Sequence, residues 1–229
     1  MAHIHLQDGT LPLFWAALWW GLALVLLGVS LYLLRRRPFD PARLTLAALC
    51  TATVFALFQV EIPVFGGVHL SLMPLTGILL GPMLGVLAAL VANVFSAAVG
   101  HGGWTVIGAN LLVNTTELVT AYAIFRATAH TRASIFARGA SATFIALVAS
   151  TLVMIGIVTV SGIQGVTQGE AAIAESMVVV GAANLIVGAF EAVLTGYLLS
   201  YLARVRPDIL GLSPRLRPAP IAPTEGAAL

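Results

Sequence analysis

Four of the five histidines in this sequence occupy short polar stretches beside long apolar runs: His3 and His5 in MAHIHLQDGTLP, His69 in EIPVFGGVHLS and His101 in VGHGGWT. Imidazole is the most frequent protein ligand for zinc, copper, nickel and cobalt, whereas magnesium and calcium prefer carboxylates and carbonyls. The leader adds a chelating option. A terminal amine, the next backbone nitrogens and a nearby imidazole close fused rings around a metal that accepts planar nitrogen geometry, chiefly Ni(II) or Cu(II). Met1-Ala2-His3 has the histidine-third spacing, and loss of Met1 leaves a histidine-second terminus. One loop histidine is more often solvated than ligating, so the argument for a transition-metal site rests on three separate stretches delivering imidazole to one place.

Those stretches must be positioned by membrane helices. Of 229 residues, 59% are hydrophobic and 9% charged, far too apolar for a soluble domain. Apolar spans run over Leu13–Leu34, Leu44–Val60, Leu70–Gly100, Trp104–Phe125, Gly139–Val160 and Met177–Ala203. Most are near the roughly 20 residues that one crossing requires. The third is too long for one crossing, and Gly81-Pro82 breaks it, since proline lacks the N–H and clashes with the preceding turn. It divides into Leu70–Leu80 and Met83–Val99.

Charge placement supports that division. The chain has eleven arginines and no lysine. Arg35, Arg36, Arg37 and Arg43 follow the first span; Arg126, Arg132 and Arg138 follow the fourth; Arg204, Arg206, Arg215 and Arg217 follow the last. Only if the third span is two segments do all of them fall on one side, as the bias of basic residues toward the cytoplasm requires. The expected fold is therefore an all-α integral membrane protein, a bundle of about seven transmembrane helices with the amino terminus outside and the carboxyl terminus cytoplasmic. The short third segment must be shielded by its neighbours, because 11 residues cannot span alone. In this arrangement His3, His5, His69 and His101 gather at the outer face and His130 lies inside.

The chain divides into an extracytoplasmic metal-binding leader (1–12), a transmembrane helical domain (13–211) and a disordered cytoplasmic tail (212–229) rich in proline and alanine. Residues Ser161–Ser176 read as the longest outer connection, a mobile loop or lid. Asp8, before Gly9, is either a turn carboxylate or an outer partner of the metal site. Glu117 and Glu191 fall at membrane depth, where a carboxylate either marks a pathway or a buried partner or is simply satisfied by nearby hydroxyls, here Thr115, Thr116 and Thr195. Ala48, Ala52 and Ala56 form a smooth stripe at spacing four that lets another helix approach closely. The lone Cys50 excludes an intramolecular disulfide.

Four blocks carry a more specific signal: HLQDGTLP at His5–Pro12, GGVHLSLMPLTGILLGP at Gly66–Pro82, GHGGWTVIGANLLVN at Gly100–Asn114 and EAVLTGYLLSYLARVRPDIL at Glu191–Leu210. In them the chain resembles the CbiM/NikM family, the substrate-binding S components of energy-coupling-factor cobalt and nickel ABC transporters. The resemblance implies that the leader tucks into a seven-helix bundle and binds metal through the terminal amine, a backbone nitrogen and a near-terminal histidine. A histidine before the third segment, here His69, completes the set. Family members usually begin Met-His with three residues to the acidic-glycine pair. Here the histidine in that register is His5, so its preceding nitrogen is an amide. Either His5 keeps the role without the terminal amine, or His3 takes it after Met1 is trimmed. The expected side-chain ligands are His5 and His69, with His3 a third candidate, and His101 and Asn110 support them from outside the ligand set. The alanine stripe Ala48, Ala52 and Ala56 would dock on the coupling subunit.

The function implied is the substrate-capture subunit of an ATP-driven importer for Ni(II) or Co(II) in a prokaryotic plasma membrane, with the metal as cargo and no resident cofactor. The chain carries no Gly-x-x-x-x-Gly-Lys-Ser/Thr motif, so ATP hydrolysis would belong to partners. Those implied are a transmembrane coupling subunit, two ATPase subunits and a small accessory membrane subunit, in a lipid setting, with no nucleic acid. An S component for an organic vitamin is the alternative, and would want an aromatic-lined pocket. A membrane metalloenzyme ranks below it, because the sequence has neither His-Glu-x-x-His nor a pair of mid-helix histidines to hold a haem.

Overall fold

The computed structural model describes residue 6 and residues 8–36, 40–60, 69–163 and 170–210, the side chains of 170–180 and 183 excepted. Its described residues form seven α-helices and no strand: α1 (Leu13–Arg35), α2 (Pro41–Phe58), α3 (Met73–Leu80), α4 (Pro82–Ala98), α5 (Ile107–Ala127), α6 (Ile135–Ser161) and α7 (Glu170–Val205). A single 3-10 turn, Thr128–His130, follows α5. Starts are written in local chemistry. Asp40 accepts from the Ala42 N–H with Pro41 at the first helical position of α2, and Ser134 accepts from the Ala137 N–H at the head of α6.

The break at Gly81-Pro82 is present. Gly81 closes α3 and opens α4 at φ 75°, a left-handed geometry that suits glycine, and Pro82 takes the first position of α4. With eight residues, α3 is about 12 Å long, too short to cross a bilayer. Six of those eight residues are buried, and α3 lies chiefly on α5 with α2, α4, α6 and α7 around it.

The central helix is the most polar one. α5 is the least apolar of the seven, and it is lapped by α1, α3, α4 and α6. Asn110, Asn114, Thr115 and Glu117 are all buried along it. Around it the arrangement is turned inside out relative to a soluble bundle. Leu24, Val25, Leu152 and Phe190 are 58 to 71% exposed, a surface suited to acyl chains. α1, α2, α6 and the Asn184–Val205 part of α7 are each long and apolar enough to cross a membrane, and α4 is a shorter apolar helix.

One expectation is overturned. The Ser161–Ser176 stretch is not one long loop, because α7 already begins at Glu170 and runs for 36 residues. Glu170, Ala171, Ala172, Ala174 and Glu175 are residues of good or tolerable helix propensity with an acid at the positive end of the helix dipole, and this outweighs their lack of apolar character. The tail expected at 212–229 lies outside the described residues.

Candidate metal centre

The leader enters the bundle at Leu6. Its N–H donates to Asn110 Oδ1 at 3.0 Å, and Asn110 Nδ2 donates back to the Leu6 carbonyl at 3.2 Å. Both backbone polar groups of one residue are thus satisfied by one carboxamide, as a neighbouring strand would satisfy them. Leu6 and Leu11 sit in an apolar cluster with Val106, Ala109 and Val113 of the α5 region and Met154, Ile157 and Val158 of α6.

Two residues further on, Asp8 fastens the leader to the turn before α5. Its carboxylate accepts from the Trp104 N–H at 3.1 Å and, on the other oxygen, from the Thr105 N–H at 2.8 Å and the Thr105 hydroxyl at 2.6 Å. The Thr105 hydroxyl is the leading reason that the Asp8 carboxyl lies below its ordinary pKa. The two backbone donors add to it, and desolvation opposes them. Gly103 makes the approach feasible: a Cβ there would lie 2.4 Å from both the Asp8 nitrogen and its Oδ1. Trp20 Nε1 donates to the Trp104 carbonyl at 3.1 Å, which ties α1 to the same turn.

His101 belongs to this turn, its N–H donating to the Ser96 carbonyl at 2.8 Å. His69, 1% exposed, comes from the stretch before α3, and the two imidazoles meet with ring centroids 5.1 Å apart and planes at 71°. Phe58, fully buried at the end of α2, closes the other side of His69 at 5.2 Å. Loops some 30 residues apart in the chain therefore present two imidazoles to each other beside the turn that holds the leader. His130 lies in the 3-10 turn at the far end of α5.

His3 and His5, two of the three expected ligands, lie outside the described residues, with His5 covalently next to the pinned Leu6. Among the described residues no three of His, Cys, Asp and Glu cluster to hold a metal ion. Asn110 spends both ends of its carboxamide on Leu6. Ala48, Ala52 and Ala56 are all exposed, on the face of α2 opposite its buried Ala47, Val54 and Phe58.

Sequence reasoning flagged Glu117 and Glu191 but not their partner. Both are fully buried and meet at Ser71, two residues beyond His69. The threonines are not what satisfies them: Thr116 donates to the Leu112 carbonyl, and the hydroxyls of Thr115 and Thr195 have no hydrogen-bond partner among the described residues. The only signal for Ser71 was a polar residue standing one position after Leu70 in an otherwise apolar LSLMP.

The family model described as "Cobalt uptake substrate-specific transmembrane region" matches residues 5–209. The Cobalt transport protein CbiM of Sorangium cellulosum is 32% identical over 227 residues, which cover 95% of this chain and 99% of that protein. NikMN of Archaeoglobus fulgidus, named as a fused nickel transport protein, is 31% identical over 214 residues, 90% of this chain and 68% of its own length. A solved transition metal transporter has the same fold, with a TM-score of 0.77 at 22% identity, over 93% of this chain and 100% of that one. With a matching model across almost all of its membrane portion and a relative aligned over nearly its full length, the chain belongs to the CbiM family of prokaryotic transport proteins and is a multi-pass protein of the cell membrane.

Proposed function

We propose that this chain is the subunit that captures Ni(II) or Co(II) at the outer face of the membrane and presents it to an ATP-driven importer. The observation that carries the reading is the meeting of His69 and His101 at 5.1 Å beside the turn to which Asp8 fastens the leader. His69 supplies one nitrogen ligand and the leader supplies the others, from His5 or from His3 with the terminal amine. His101 packs against His69 and orients it. The buried position of His69 keeps competing water out.

The topology that accompanies this reading has the leader outside and the carboxyl terminus inside. Energy comes from partners: a transmembrane coupling subunit, docked on the exposed Ala48, Ala52 and Ala56 face, two ATPase subunits and a small accessory membrane subunit. This chain itself hydrolyses nothing.

The test is metal analysis and calorimetry on the purified chain, with His69→Ala alongside. Stoichiometric Ni(II) or Co(II) in the parent and its loss in His69→Ala supports the reading. Absence of both metals from the parent returns the organic-vitamin alternative. Blocking the terminal amine, with His3→Ala and His5→Ala in parallel, identifies the leader's ligands.

A further inference from the structure

We propose that Glu191 is a positioning residue for the metal site, acting with Glu117 through Ser71 to set where His69 stands. The inference rests on the capture reading above and adds to it two buried carboxylates that the ligand set does not use.

Ser71 is held from two helices at once. From α7, Glu191 Oε2 accepts from the Ser71 N–H at 2.9 Å, and Oε1 accepts from the Leu72 N–H at 2.9 Å. From α5, Glu117 Oε1 lies 2.6 Å from the Ser71 hydroxyl, closer than the 2.9 Å to Glu191 Oε1, and a hydroxyl has only one proton to give. The same hydroxyl oxygen accepts from the Met73 N–H at 3.2 Å. Ser71, Glu117 and Glu191 are each 0% exposed. Short hydrogen bonds in a dry interior fix geometry more firmly than the same bonds at a surface.

The backbone at this point is unusual. Leu72 has φ 48° and ψ 20°, the only non-glycine residue with positive φ among those described. A left-handed leucine persists where its surroundings over-determine it, and here its own N–H is gripped by Glu191. Bonds at consecutive nitrogens of Ser71 and Leu72, with α3 beginning at Met73, leave the chain just upstream one way to run. His69 is two residues upstream, and its ring reaches His101.

A helix-start device alone would make Glu191 matter for folding and nothing else. A positioning role makes it matter for the ligand set, which the colour of the bound metal reports. The experiment uses the full chain in detergent with Ni(II) and Co(II) salts. Glu191→Gln fills the same volume but presents an amide donor where one of two backbone N–H groups needs an acceptor. We expect it to bind metal at least about tenfold more weakly, in the range seen for groups that orient ligands. Its visible absorption at saturating metal should shift away from that of the parent. Ser71→Ala, which removes the hydroxyl that reaches Glu117 and accepts from the Met73 N–H but keeps both backbone bonds to Glu191, should weaken binding less, and serves as the test if Glu191→Gln does not fold. In the metal-free protein the His69 ring resonance, identified by its loss in His69→Ala, should shift in either variant. Parental affinity, absorption and His69 resonance in folded Glu191→Gln, or in Ser71→Ala if that variant carries the test, overturns the inference while the capture reading stands. A parent that binds neither metal overturns the capture reading, and the metal-free resonance then still reports whether Glu191 sets His69.

Discussion

The rings of His69 and His101 stand edge to face with centroids 5.1 Å apart, although one precedes α3 and the other follows α4. The two helices between them form a hairpin about the Gly81 elbow that returns the chain to the level at which it left. His69→Ala should abolish high-affinity metal binding. His101→Ala should weaken it by about 10- to 100-fold, the usual cost of losing a group that orients a ligand. Titration calorimetry on both variants checks the order, and equal losses would make His101 a ligand in its own right.

Asn110→Ala removes both bonds to the Leu6 peptide. Each buried hydrogen bond contributes about 1 kcal/mol, and a stranded peptide group adds about 1 to 3 kcal/mol of cost. That sum is comparable with what holds a short segment in place, so the leader should leave the bundle while the helices stay folded. Hydrogen exchange at Leu6 should rise in the variant with little change in α5 and α6.

Acid should release the leader at its second anchor. The Asp8 carboxyl is held below its ordinary value of 3.8 in the folded protein, chiefly by the Thr105 hydroxyl. A group whose pKa falls on folding contributes stability that is complete above the unfolded value and fades as pH drops through the lower folded one. The Trp104 environment, followed by fluorescence from pH 6 downward, should change at and below about pH 4, the ordinary carboxylate range. Asp8→Asn should lose that acid transition and behave at neutral pH as the parent does in acid.

Gly103→Ala should act on the same anchor without touching charge. Its Cβ would fall 2.4 Å from Asp8 Oδ1 and from the Asp8 backbone nitrogen, inside any tolerable contact. Limited proteolysis should cut the leader of this variant faster, and metal affinity should fall with it.

Ala52→Leu places bulk in the middle of the exposed alanine face. The variant should fold and bind metal as the parent does, since Ala52 is exposed among the described residues. Co-purification with the coupling subunit should drop, because small residues are what let two membrane helices approach closely.

Much of this architecture was legible in the residues, and the reasons are local. Gly81-Pro82 breaks a helix by covalent geometry, so the split of the third apolar span needed no tertiary information. The apolar runs at Leu13 and Gly139 are long enough to be recognised by length alone. The start of α7 was missed because hydropathy sees membrane, and Glu170 to Ser176 is helix without being apolar. At the site, histidine types and their shared side of the bundle suggested metal chemistry. The Leu6 to Asn110 pairing spans 104 positions and the Ser71 to Glu191 pairing 120, and no periodicity carries such distances. Ser71 itself is an ordinary residue whose importance exists only where Glu117 of α5 and Glu191 of α7 both reach it.

The length of α7 gives that junction a mechanical meaning. Its 36 residues make a rod about 54 Å long, well beyond the thickness of a bilayer, and Glu191 stands partway along it. The rod packs along α6, and Glu191 is where it grips the peptide of Ser71 and Leu72, so a tilt of α7 would be felt there as a sideways pull. In the proposed importer, a partner acting on the far end of the rod need not touch the cargo, because Ser71 ties the rod to the stretch that carries His69.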